Sequence, residues 1–100
     1  MEFNIIENGD KVRGVFKGRL DTIAATQLAT ELDPLLEKAD KDIELDCSEL
    51  DYISSSGLRI FLTIRKASVA KNGKLVVTNI NDEIKKVFRM TGFSNLFEIR

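Results

Sequence analysis

The sequence predicts an α/β fold: a mixed, mostly parallel β-sheet with helices packed on it, in the order β-β-α-β-α-β-α-β. Two observations predict it. The chain opens with two strand-like segments around a tight-turn signal, Asn8-Gly9-Asp10. After that, three stretches with apolar residues at three- and four-residue spacing alternate with short apolar strands. Such alternation implies parallel pairing through right-handed crossovers, because each helix must bury its stripe on the sheet.

Residues 3–7, Phe-Asn-Ile-Ile-Glu, read as the first strand. Lys11 to Lys17 reads as the second, with Val12, Gly14 and Phe16 on one side and Arg13, Val15 and Lys17 on the other. Gly18 ends this hairpin. Asp21 or Thr22 caps the first helix, since a short side-chain oxygen there satisfies a free backbone N–H. Its stripe is Ala25, Leu28, Ala29, Leu32, Leu35 and Leu36. Pro34 lies inside this pattern, and its missing N–H predicts a kink or a break. Ile43 to Cys47 is a short strand, and Ser48 to Ser56 reads as a polar, turn-rich segment. A helix follows from about Ser56 to Lys71. Asn72-Gly73 closes it, the glycine suiting a left-handed cap. Lys74 to Thr78 is a strongly apolar strand. Asn79 or Asn81 starts the last helix, with Ile84, Val87 and Phe88 on its apolar side, and Gly92 ends it. Leu96 to Ile99 is the closing strand.

One hundred residues with 43% hydrophobic and 31% charged content make a single folded domain spanning 1–100. A net charge of −1, from 15 basic and 16 acidic residues, argues against nucleic-acid binding and a polybasic membrane anchor. There is no histidine, so the commonest general base and metal ligand is missing. The one cysteine, Cys47, forms no internal disulfide and reads as a buried apolar residue in a strand. With no apolar run of membrane-spanning length and no signal-peptide pattern, the expected location is the cytoplasm. No cofactor is expected. Asp46, Glu49 and Asp51 read as solvated acids rather than a metal site.

The segment Ile53-Ser54-Ser55-Ser56-Gly57-Leu58 places hydroxyls at a helix start. Two readings stand. One serine caps the helix and the others are bystanders, or one accepts a phosphate, which the exposed N–H groups and the helix dipole would tolerate. A serine phosphate adds about −1.5 to −2 of charge, and in a chain at −1 that is a large change wherever a partner docks. After the serines, Gly57, Ile60, Phe61 and Ile64 share one helical face. Leu58, Leu62, Arg65 and Val69 share a second, either covered or left as a partner patch. Arg59, Arg65, Lys66, Lys71, Lys85, Lys86 and Arg89 form either a solvated face or a docking face for an acidic partner.

The run from Leu45 to Leu58, Leu-Asp-Cys-Ser-Glu-Leu-Asp-Tyr-Ile-Ser-Ser-Ser-Gly-Leu, resembles the signature of STAS domains, above all the stand-alone anti-sigma-factor antagonists of bacteria. Gly18-Arg19-Leu20-Asp21, Asn72 to Val77 and Val87 to Phe93 are similar to the family's other landmarks, and the strand and helix order is the family's. The resemblance implies the STAS fold and a partner-switching role in transcription regulation. The partner is an anti-sigma factor that is also a serine kinase, and a PP2C-type phosphatase resets the cycle. The chain is then a kinase substrate and binding module, not an enzyme. The implied phosphorylation site is Ser55, with Ser54 the alternative. The implied partner-binding residues are Asp21, Ser54, Ser56, Gly57, Leu58 and Leu62. Many family members carry Asp where this chain has Ser54, and many continue into a further C-terminal helix. The alternative role is a non-phosphorylated STAS subunit of a lipid-transport ATPase or a stress-signalling complex.

Overall fold

A computed structural model describes all 100 residues. Five strands form one sheet in the order β1-β2-β3-β4-β5: β1 Glu2–Asn8, β2 Lys11–Leu20, β3 Asp42–Ile53, β4 Lys74–Thr78 and β5 Glu98–Ile99. β1 and β2 pair antiparallel, and the remaining neighbours pair parallel. The helices are α1 Thr22–Ala29, α2 Asp33–Leu36, α3 Ser55–Ala70 and α4 Asp82–Met90, with a 3-10 turn at Phe93–Asn95.

The helices cover one side of the sheet. Val12, Phe16, Ile43, Leu45, Cys47 and Val77 point to that side and are buried. The rings of Phe16, Phe61, Phe88 and Phe97 meet in its centre. The opposite side is bare and carries a cross-strand arrangement of charge. Arg13 lies 3.8 Å from Asp46, Lys17 lies 3.5 Å from Glu49, and the Thr78 hydroxyl donates to Glu44 at 2.7 Å. Opposite charges on adjacent strands satisfy one another there and keep that face wet.

Several expectations need correction. β3 does not end at Cys47. It runs on to Ile53, so the supposed turn from Ser48 is strand. β2 likewise passes Gly18 and reaches Leu20. Register shifts at Val15/Lys17 and Gly18/Arg19 let the two long strands stay paired. The break expected at Pro34 falls earlier: the chain turns between Thr30 and Leu32, and Pro34 sits at the start of α2, where its missing N–H costs nothing. Asn72, not Gly73, adopts the left-handed conformation after α3, with φ 58°. The last strand holds only Glu98 and Ile99. Of the two asparagines expected to start α4, Asn81 is the cap, its side chain accepting from the Ile84 N–H at 2.8 Å.

Glu7 ties β1 to the segment between α2 and β3. Its carboxylate accepts from Lys38 Nζ and from Lys41 Nζ, both at 2.8 Å. These two hydrogen bonds, Lys38's first, lower the Glu7 pKa from 4.5 to about 2. A carboxylate with a depressed folded-state pKa stabilises the fold above its unfolded value and loses that contribution as pH falls through the folded one. The stability gap between the parent chain and Glu7→Gln should therefore close between about pH 5 and pH 2, and shrink in high salt. Urea midpoints measured across that range check this; a gap independent of pH would refute it.

Candidate functional site

β2 and β3 end side by side, Leu20 opposite Ile53. Each leads into a helix N-terminus, so two helix starts meet at one end of the sheet. Asp21 caps α1, its carboxylate accepting from the Ala24 N–H at 2.9 Å. Ser54 caps α3, its Oγ accepting from the Gly57 N–H at 3.1 Å. The same hydroxyl donates to the Leu20 carbonyl at 3.0 Å, and the Ser54 N–H donates to that carbonyl at 2.9 Å. Ser54 therefore locks α3 to the end of β2 through groups 34 residues apart in sequence.

This assignment separates the three serines. The Ser54 hydroxyl is committed to the fold in both directions. Ser55, the first residue of α3, is exposed, and its hydroxyl takes part in no hydrogen bond of the molecule. Ser56 is half-buried. Gly57 and Leu58 are buried and shape the site from beneath. A Cβ on Gly57 would stand 2.8 Å from Leu20 Cγ, 2.9 Å from Ile53 Cγ1 and 2.9 Å from the Leu20 carbonyl oxygen, so the α3 start approaches β2 as closely as glycine permits. Leu62 is half-buried one turn further on, and Asp21 is half-buried beside Ser54. The second face of α3 is thus neither covered nor open throughout: Leu58 is in the core, while Val69 is 61% exposed.

Two features of this end escaped the sequence reading. Ile23, in the first turn of α1, is 71% exposed. The Arg19 guanidinium lies 4.3 Å from the centre of the Tyr52 ring, a cation–π contact across the extended ends of β2 and β3. It depends on both strands running past Gly18 and Ser48.

Of the acids weighed as metal ligands, Glu49 faces Lys17 and Asp51 is exposed. Burial alone would push the Asp46 carboxyl up, but hydrogen bonds from Ser48 and Asn79 and the charge of Arg13 hold it below its ordinary value. Cys47 is 1% exposed, and burial, with the nearby Asp46 charge, pushes its thiol up to about 12. It is a core residue, as its sequence setting predicts. No helix is long and apolar enough to cross a membrane.

A single sheet with this strand order, covered by helices on one side and with a serine-bearing helix start at its carboxyl end, defines a class. Residues 11–100 match the STAS domain family, and the chain belongs to it. It is 33% identical over 94 residues to BtrV of Bordetella bronchiseptica, assigned as an anti-sigma factor antagonist, covering 90% of this chain and 81% of that one. It is 27% identical over 82 residues to the anti-sigma-B factor antagonist of Staphylococcus aureus, covering 82% and 76%. Solved structures share the fold. A Thermotoga maritima protein described as an anti-sigma factor antagonist superposes with a TM-score of 0.87 at 21% identity, covering 97% of this chain and 84% of that one. The Bacillus cell fate determinant SpoIIAA in its phosphorylated form gives 0.73 at 20%, covering 99% and 91%.

Proposed function

We propose that this protein is an anti-sigma factor antagonist, a binding module that sequesters an anti-sigma factor with serine-kinase activity and is released when that kinase phosphorylates Ser55. The observation that carries the reading is the division of labour among the serines. Ser54 holds the helix start in place, which leaves the adjacent Ser55 hydroxyl exposed and unengaged. The names of the relatives support the partner class, and SpoIIAA, a protein of the same fold, exists in a phosphorylated form. Ser54 is the weaker acceptor, because a phosphate on it would remove the cap of α3 and its bond to Leu20. The docking surface on this reading comprises Asp21 and Ser56 at the helix starts and Leu62 two turns along α3, with Gly57 and Leu58 buried at the start of that helix. A PP2C-type phosphatase would restore the binding form, and the cycle would run in the cytoplasm.

Phosphorylation need not disturb the core. A dianion at the first residue of a helix meets the favourable end of its dipole. The effect is felt outside, where a chain at −1 moves to roughly −3. The test is incubation with an anti-sigma factor kinase from the same organism and Mg-ATP, followed by peptide mass spectrometry. A single phosphate on Ser55, absent from Ser55→Ala, is expected. A phosphate on Ser54, or none, would sink the proposal.

A further inference from the structure

α3 carries Arg59, Arg65 and Lys66 and no carboxylate. The chain as a whole is at −1 and α3 at +3, so the remainder is at −4. The outward stripe of this helix runs through Ser55, Arg59, Thr63 and Lys66, all exposed. Arg65 is turned away, its Nε donating to the Leu96 carbonyl at 2.8 Å. Neither Arg59 nor Lys66 takes part in any of the molecule's ion pairs. At this end of the sheet the other guanidinium, that of Arg19, rests on the Tyr52 ring. Arg59 is therefore a free cation one helical turn beyond Ser55.

The spacing matters. Residues four apart on a helix are neighbours, with Cβ atoms about 5–6 Å apart, and an anion preceding a cation is the better order. A guanidinium fork matches phosphate oxygens in a way that a solvated lysine does not. A phosphate on Ser55 would find its partner within its own helix.

We propose that Arg59 anchors an acidic group on the protein partner, and that the phosphate on Ser55 captures this guanidinium and withdraws it. The occupant is an acidic protein surface, because an acid-free cationic stripe on an otherwise negative chain complements no other sign. The inference rests on Ser55 being the acceptor and adds a mechanism for release. The phosphate then acts twice, repelling the partner's acid and removing the cation that bound it. Arg59 is a docking residue in one state and a phosphate ligand in the other.

Two measurements test it. In the first, phosphoserine is incorporated at position 55 during synthesis, and the phosphate is titrated by phosphorus NMR. Its second pKa, near 6 in the absence of a partner, should rise by about 0.2–0.4 in Arg59→Gln, the loss of an exposed helical ion pair. Lys66→Gln should leave it unchanged, since that residue lies about 16 Å further along the helix, beyond the screening length. Equal values in the parent and Arg59→Gln, or an equal shift in Lys66→Gln, would overturn the capture. In the second, calorimetry with the kinase partner should show Arg59→Gln weakening the unphosphorylated chain about tenfold, as for an interface arginine. In a Ser55→Asp background the same change should cost less than about twofold, because a shared group is not lost twice. Equal losses in both backgrounds would overturn the shared role. The titration needs no kinase, so its outcome is independent of whether Ser55 is that enzyme's target.

Discussion

Replacing Gly73 by alanine is expected to destabilise the protein by about 3 kcal/mol or more, the upper range for forced overpacking. The cause is not backbone freedom, since Gly73 has an ordinary φ and its neighbour Asn72 takes the left-handed turn. It is space. A Cβ at Gly73 would overlap the carbonyl of Ala39 and press on the carbonyl of Lys41 at 2.9 Å. Both obstacles are backbone, so no rotamer change relieves them. The segment would have to shift, and it is tied to its surroundings: Lys74 N–H donates to the Lys41 carbonyl at 3.3 Å, and Asp42 N–H donates to the Asp10 carbonyl at 3.0 Å. Domains of this kind are stable by only about 5–15 kcal/mol, so the denaturant midpoint should fall markedly. A midpoint within error of the parent would mean that the loop yields freely and that the close approach is incidental.

Phe61→Ala should cost about 3–5 kcal/mol. Phe61 is fully buried, and its ring centroid lies 5.1 Å from that of Phe16, 5.9 Å from Phe88 and 6.2 Å from Phe97. It joins β2, α3, α4 and the segment before β5 in one cluster. Truncation removes the transfer free energy of a large ring and leaves a cavity that the fixed backbone cannot close. Each kcal/mol lowers Tm by about 4–8 °C at this size. Calorimetry should therefore record a fall of about 15 °C or more; a loss of only a few degrees would show that the neighbouring rings collapse into the gap. Because Phe61 seats the helix that begins with Ser55, the same variant should also weaken partner binding in proportion to the unfolded fraction.

What could be read in advance was local. Asn8-Gly9 sets the hairpin, and Asp21 and Asn81 are caps within three residues of the N–H groups they satisfy. The apolar run of β4 is read by composition alone. What could not be read was set by partners far away in sequence. Ser48, Glu49, Asp51 and Tyr52 look like a loop because they are polar, yet they are outer positions of a strand that β2 holds in place through shifted registers. The leucines at 35 and 36 keep the helical period while the chain turns before them, so periodicity overran the break. The candidate site shows the same division. Hydroxyls clustered at a helix start are visible in Ser54, Ser55 and Ser56. Which of them caps and which is free depends on the Leu20 carbonyl, 34 residues away from Ser54. The isolation of Arg59 required the position of every carboxylate.

The sheet order has a consequence of its own. β2 to β5 lie side by side in the order of the chain, so each right-handed crossover steps in the same direction and leaves its helix on the same side. In α/β folds whose strand order reverses, the reversal opens a crevice at the carboxyl ends of the strands, and nucleotides lodge there. This sheet never reverses. The loops after β2 and β3, which would wall such a crevice, instead bring Asp21 and Ser54 together and hold Ser55 outward. The fold offers an address rather than a chamber. On the proposed reading the Ser55 hydroxyl enters a kinase's catalytic cleft and so has to protrude, and a sheet wound in one direction is a simple way to make it do so.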